Sequence, residues 1–121
     1  MIIGVLKEIA DGERRVGLVP EGVQALKKLG VDVLVEIGAG IEAGFDDQSY
    51  RDVEAKIASN ASVVYAEADI VVKVLPPQAG GTAGDEVEAL REGSALICLM
   101  KPLDIPELTA RLAARRVDAF S

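Results

Sequence analysis

Apolar positions along this chain gather into short strand-length runs that alternate with stretches of helical spacing. Ile2 to Leu6 and Asp32 to Ile37 are compact apolar runs, and between them Val19, Val23, Leu26 and Leu29 recur on one helical face. That helix starts near Pro20, carries Lys27 and Lys28 in its last turn and has Gly30 just past it, a favourable way to end a helix. Tyr50 to Ala55 predicts a short helix and Lys56 to Ala58 a brief strand. Ser59 or Asn60 can cap a helix over Ser62 to Glu67. Asp69 to Leu75 is the strongest strand signal, and Pro76-Pro77 ends it. The glycine-rich Gln78 to Gly84 reads as a loop, after which Asp85 caps a helix over Glu86 to Arg91 that Gly93 stops. Ala95 to Leu99 predicts another strand, Asp104 with Glu107 a capping box for a helix to Arg116, and Val117 to Phe120 the start of a last strand.

Strands and helices that alternate with short links imply parallel strands and right-handed crossovers. The expected fold is therefore α/β, an open parallel sheet with helices on both faces, a Rossmann-like or flavodoxin-like three-layer lobe. Strand order does not follow from the pattern. One domain over residues 1–121 suits the length, and there are no internal repeats. The final apparent strand has no covering helix after it, so the chain is expected to be a lobe cut from a longer protein.

Composition narrows the core and the partners. Half of the residues are hydrophobic but only 3% are aromatic, so valine, leucine, isoleucine and alanine must fill the interior, as in helices packed on a parallel sheet. The net charge of -7 repels a phosphate backbone, and Arg111, Arg115 and Arg116 sit at a helix end where cations offset the helix dipole, so nucleic acid is not an expected partner. Cys98, the one cysteine, lies in an apolar run and reads as a small core residue in a reducing compartment. No apolar run reaches the roughly 18 residues of a membrane span, and the start of the chain lacks the pattern of a signal peptide, so direct membrane insertion is not expected and the location is expected to be cytoplasmic. No metal site is expected.

The chemistry is expected in the connection from the first strand to the first helix, Lys7 to Val19. A strand-to-helix link normally takes about two to six residues, and one roughly twice as long with adjacent Arg14 and Arg15 is better suited to build a site than merely to join elements. Ligands of open parallel sheets bind outside the carboxyl ends of the strands. Three cations fall there by sequence: Arg15 after the first strand, Lys73 late in the fourth and Lys101 after the fifth. Arg15 could grip a carboxylate through two N–H bonds, with Lys73 supplying a point charge. The structural alternative is that Lys73 pairs with Glu8 or Glu13 and that Arg15 ties down its own loop.

Lys7-Glu8, the segment Glu13 to Val16 and the helix start Pro20-Glu21-Gly22-Val23 resemble the opening of the alanine dehydrogenase and pyridine nucleotide transhydrogenase family, and Asp69 to Val74 resembles its fourth strand. Gly38-Ala39-Gly40 and Ala43 to Asp47 look similar to the transhydrogenase alpha subunits. In alanine dehydrogenases the residues matching Arg15 and Lys73 hold the substrate carboxylate, and a histidine further on acts in acid/base chemistry. This chain has no histidine, and Lys101 falls where it would be. A lysine would need its pKa lowered by several units to do that work near neutrality.

The resemblance therefore implies the N-terminal lobe of a transhydrogenase alpha subunit. Its parent would move a hydride between NAD(H) and NADP(H), coupled to proton translocation by other subunits at the cytoplasmic face of a membrane. The alternative is the substrate-binding lobe of an alanine dehydrogenase-like enzyme. Arg15, Lys73 and Lys101 are expected to line the cleft, with Glu8 and Glu13 supporting them. No catalytic residue is expected within the fragment, which should be inactive alone. NAD(H) would bind mainly to a domain absent here, and the parent is expected to be a homo-oligomer.

Three other readings bear on the same residues. Gly38 to Ala43 satisfies a loose G-x-G-x-x-A pattern, but Glu42, Asp46 and Asp47 put negative charge where a pyrophosphate would sit. Lys101-Pro102 before a capped helix resembles a phosphoacceptor receiver domain, yet no aspartate ends a convincing third strand. A binding or scaffold lobe without a reaction of its own also fits the chain, because hydride transfer needs donor and acceptor held in contact by more than one lobe.

Overall fold

The computed structural model describes residues 1–78, 84–99 and 105–121. In chain order the elements are β1 (Ile2–Val5), α1 (Pro20–Lys28), β2 (Asp32–Glu36), α2 (Asp47–Arg51), β3 (Lys56–Ala58) and α3 (Ala61–Glu67). They continue as β4 (Ile70–Val72), α4 (Glu86–Ala89), β5 (Ala95–Ile97), α5 (Ile105–Ala114) and β6 (Asp118–Phe120). The six strands form one sheet in the order β3-β2-β1-β4-β5-β6, and every neighbouring pair is parallel. The order reverses between β2-β1 and β1-β4, which puts a crevice beside the carboxyl end of β1.

Each face of the sheet has its own core. On one side Val5, Val33 and Val35 pack with Val23 of α1 and Tyr50 of α2. On the other, Leu6, Leu34, Val71 and Leu96 pack with Val64 and Tyr65 of α3, Val87 of α4 and Leu112 of α5. Gly4 makes the second contact possible. A Cβ there would lie 2.6 Å from Val64 Cγ1 and 2.7 Å from Ala68 Cβ, so α3 sits closer to β1 than any side chain permits.

The first face is covered only in part. Val35, Val5, Val72, Ile97 and Phe120 are consecutive register partners across five strands and so share one face of the sheet. Val35 and Val5 are fully buried, whereas Ile97 is 42% and Phe120 58% exposed. Helices α1 and α2 cover the β1–β3 half, and among the described residues no helix covers the β5–β6 half.

Several boundaries differ from the sequence expectation for identifiable reasons. Helix α2 starts at Asp47, not Tyr50, because the Asp46 carboxylate accepts the Ser49 amide as an N-cap. Of the two candidate caps for α3, Asn60 is the one used, through Val63 N–H. Strand β4 stops at Val72 although the apolar run continues to Leu75. There Glu8 takes the place of a neighbouring strand, its carboxylate accepting the amides of Val74 (3.0 Å) and Leu75 (3.1 Å). The expected Gln78 to Gly84 loop and the Asp104 cap lie largely or wholly outside the described residues.

Candidate functional site

The long connection after β1 folds back over the carboxyl ends of the strands. Gly17 allows this: a Cβ at that position would lie 2.9 Å from Val72 Cγ1 and 3.0 Å from the Val72 carbonyl oxygen. With the loop seated on the end of β4, Arg15, Val16 and Val19 face Val72, Val74, Ile97 and Leu99 across a cleft of roughly 460 Å³. Lys73, Cys98, Ala43 and Ser121 also line it. The walls are mainly apolar.

Arg15 and Lys73 both border this cleft, but their charged ends go to different places. Arg15 stays at the rim with 61% of its side chain exposed and pairs with Glu13 at 2.6 Å. Lys73 is buried, its side chain only 2% exposed, with Nζ 3.3 Å from Glu8 Oε1 and 3.3 Å from Glu86 Oε2. Of the two structural partners weighed for Lys73, Glu8 is therefore the one that pairs, and Glu13 belongs to Arg15. Lys101 lies outside the described residues.

Glu86 is the member that sequence reasoning missed. It opens the four-residue helix α4, and its side chain is turned inward among α3 and the strand ends, where Gln78 N–H donates to its Oε1 at 2.9 Å and the Tyr65 hydroxyl stands 3.5 Å from Oε2. The available signal was indirect. A lysine in an apolar strand demands an anionic partner, but nothing in the linear pattern says that the first turn of a helix thirteen positions on supplies a second one.

A third buried carboxylate, Glu36, accepts the Lys7 amide at 2.8 Å at the end of β2. Burial raises its pKa above the ordinary glutamate value, partly opposed by the hydrogen bond from Lys7. Burial also raises the Tyr65 phenol, with Glu86 adding to the effect. Cys98 is pushed up to about 11, first by burial, which leaves it a protonated core thiol at neutral pH.

The remaining candidate features are engaged elsewhere. The Gly38 amide, which a pyrophosphate would need, is taken by Asp47 Oδ1 at 2.8 Å. Arg111 pairs with Asp85 and Glu88, Arg116 pairs with Glu92, and Arg115 donates to the Leu90 carbonyl. Among the described residues no helix is long and apolar enough to cross a membrane.

Comparison with known proteins places this arrangement in a family. Residues 4–121 match the family model described as alanine dehydrogenase/PNT, N-terminal domain. The NAD(P) transhydrogenase subunit alpha of Haemophilus influenzae is 36% identical over all 121 residues, which cover 22% of that protein. The alanine dehydrogenase of Bacillus subtilis is 37% identical over 121 residues, covering 30% of it. Among solved structures, transhydrogenase from Sinorhizobium meliloti superposes with a TM-score of 0.89 at 32% identity, over the whole of this chain and 34% of that one. The chain thus spans about a third or less of the length of these relatives. The six-stranded parallel lobe with its cleft at the strand ends belongs to the alanine dehydrogenase/PNT N-terminal domain family.

Proposed function

We propose that this chain is the N-terminal lobe of an NAD(P) transhydrogenase alpha subunit, an oxidoreductase part whose parent transfers a hydride between NAD(H) and NADP(H). The supporting observation is the cleft at the carboxyl ends of β1, β4 and β5, with Arg15 at its rim and Lys73 in its wall, in a chain 36% identical throughout to a transhydrogenase alpha subunit. In this reading Arg15, Lys73 and Lys101 line the cleft and orient an anionic or nicotinamide group, while Glu8 and Glu13 hold the first two in place. NAD(H) is bound mainly by a further domain outside these residues, and the lobe closes over it. Other subunits of a membrane complex complete the parent, with this lobe at the cytoplasmic face and proton translocation carried by those subunits.

The second reading is an alanine dehydrogenase-like enzyme, favoured by the 37% identity to the Bacillus subtilis protein. The absence of any histidine weighs against it, since that resemblance implies a histidine in acid/base work. Full-length protein decides between them. We expect hydride transfer from NADH to an NADP analogue and no alanine-dependent reduction of NAD; the opposite pair of results removes the transhydrogenase reading. Arg15→Ala should lower kcat/KM for that transfer by about tenfold, the size of one lost charge-assisted contact.

A further inference from the structure

Tyr50 is fully buried, yet its hydroxyl is committed to one acceptor, the Leu18 carbonyl at 2.8 Å. The bond crosses from α2 to the connection that carries Arg15. It lies on the same side of the sheet as Val72 and the cleft, in the cluster where Tyr50 packs with Val5, Val35 and Ala39 and against Val16, Leu18 and Phe45. Burial first, and then the Asp47 charge, hold the phenol up at about 12, so at neutral pH it remains a donor.

The second glycine of Gly38-Ala39-Gly40 makes room for this bond. A Cβ at Gly40 would lie 2.6 Å from Tyr50 Cε2 and 2.9 Å from its hydroxyl. The Gly40 carbonyl accepts the Phe45 amide at 2.8 Å, closing the turn whose Ala43 lines the cleft. One hydroxyl therefore sits between two segments of the same wall, residues 15–19 and residues 40–45. Gly17 gives the first of them room to approach Val72, but room is not a restraint. Tyr50 supplies a directional hold on that segment.

We propose that Tyr50 is a positioning residue, whose hydroxyl pins the Leu18 carbonyl and so fixes where Arg15 stands at the rim of the cleft. The inference rests on the proposed function for the guest that Arg15 meets; the pin itself does not. The peptide that Tyr50 holds leads directly into Val19, another lining residue, and follows Gly17, the residue seated on Val72. Without the hydroxyl the Leu18 carbonyl loses this donor, and the connection can lift from the end of β4 with Arg15 on it. Tyr50 is buried and meets no guest itself.

The test uses the full-length protein and two readouts, tryptic cleavage and hydride transfer. Arg14 and Arg15 have exposed side chains, so the rate at which trypsin cuts after them reports how often the connection opens. Tyr50→Phe should raise that rate about fivefold, the effect of one lost hydrogen bond, and leave cleavage after Arg91 unchanged. Tyr65→Phe, which removes a buried hydroxyl from the other face of the sheet, should not raise cleavage after Arg14 and Arg15. In hydride transfer Tyr50→Phe should lower kcat/KM about fivefold when Arg15 is present and have no further effect in Arg15→Ala, because a residue that acts through Arg15 has nothing to place once the guanidinium is gone. Loss of fold alone would give effects that multiply. Unaltered cleavage after Arg14 and Arg15, equal acceleration after Arg91, or acceleration by Tyr65→Phe overturns the proposal. So does full transfer activity in Tyr50→Phe where Arg15→Ala is impaired, or a loss that multiplies with that of Arg15→Ala. Failure of the functional reading looks different. Transfer indifferent to Arg15→Ala would remove the cleft from the reaction, while the tryptic rates would still decide whether Tyr50 pins the connection.

Discussion

Two cations border the same cleft and live in opposite surroundings. Lys73 is sealed under the strand ends between two glutamates, and Arg15 stands in solvent beside one. Sequence pattern presents them as equivalent, both basic and both near a strand end. Burial separates them. A buried charge held by two buried partners is part of what keeps the ends of β1 and β4 together, whereas an exposed pair contributes little to stability and is free to meet a ligand. A substitution at Lys73 therefore tests fold and site together, and one at Arg15 tests the site almost alone.

The largest expected effect is at Lys73. Lys73→Ala leaves Glu8 and Glu86 buried with no cation, and should cost about 3 to 5 kcal/mol in urea unfolding of the chain. A loss below about 1 kcal/mol would mean that the carboxylates find water, and would erase the contrast. Gly4→Ala comes next, with about 1 to 3 kcal/mol expected from driving a methyl into Val64 and Ala68. It damages the α3 face while leaving the Arg15 rim untouched, so anion binding at the cleft should survive in whatever fraction remains folded.

Arg15→Ala should change unfolding by less than about 1 kcal/mol, because the Arg15–Glu13 pair is largely exposed on the arginine side. Gly17→Ala separates position from charge. Its methyl must push against the Val72 backbone, lifting the loop that carries Arg15. We expect it to reproduce the kinetic loss of Arg15→Ala in the full-length protein with Arg15 still present. Normal kinetics in Gly17→Ala would show that the loop's seat on β4 is irrelevant to the cleft.

The layers were legible because the apolar runs are short, rich in valine and isoleucine, and separated by capped helices; Pro20, Asn60 and Asp85 mark their starts as read. Glu8 was legible only as one of two acids, with Glu13, that could pair with a lysine inside an apolar strand. Strand order, Glu36 and Glu86 were not. Each depends on which strand end lies beside which, and the parallel pattern leaves that open. The early stop of β4 had the same origin, since no propensity scale reports that a side chain 66 residues earlier will take the amide of Val74 and also that of Leu75. The exposed β5–β6 half of one face likewise follows from topology, because among the described residues no helix covers Ile97 and Phe120.

The smallest effect concerns the third buried acid and gives the comparison a pH axis. Burial holds the Glu36 pKa above its ordinary value, so the folded state keeps a proton that the unfolded chain has released. Stability from this group is then complete below the unfolded pKa and declines as pH rises through the folded one, because in that interval the native state binds more protons. Glu36→Gln retains an oxygen to accept the Lys7 amide but cannot ionise. Thermal unfolding of the two chains compared from the ordinary glutamate pKa up to neutrality should therefore converge at the acid end, with the variant the more stable at the neutral end. An identical pH slope in both would mean that Glu36 is solvated in the folded state.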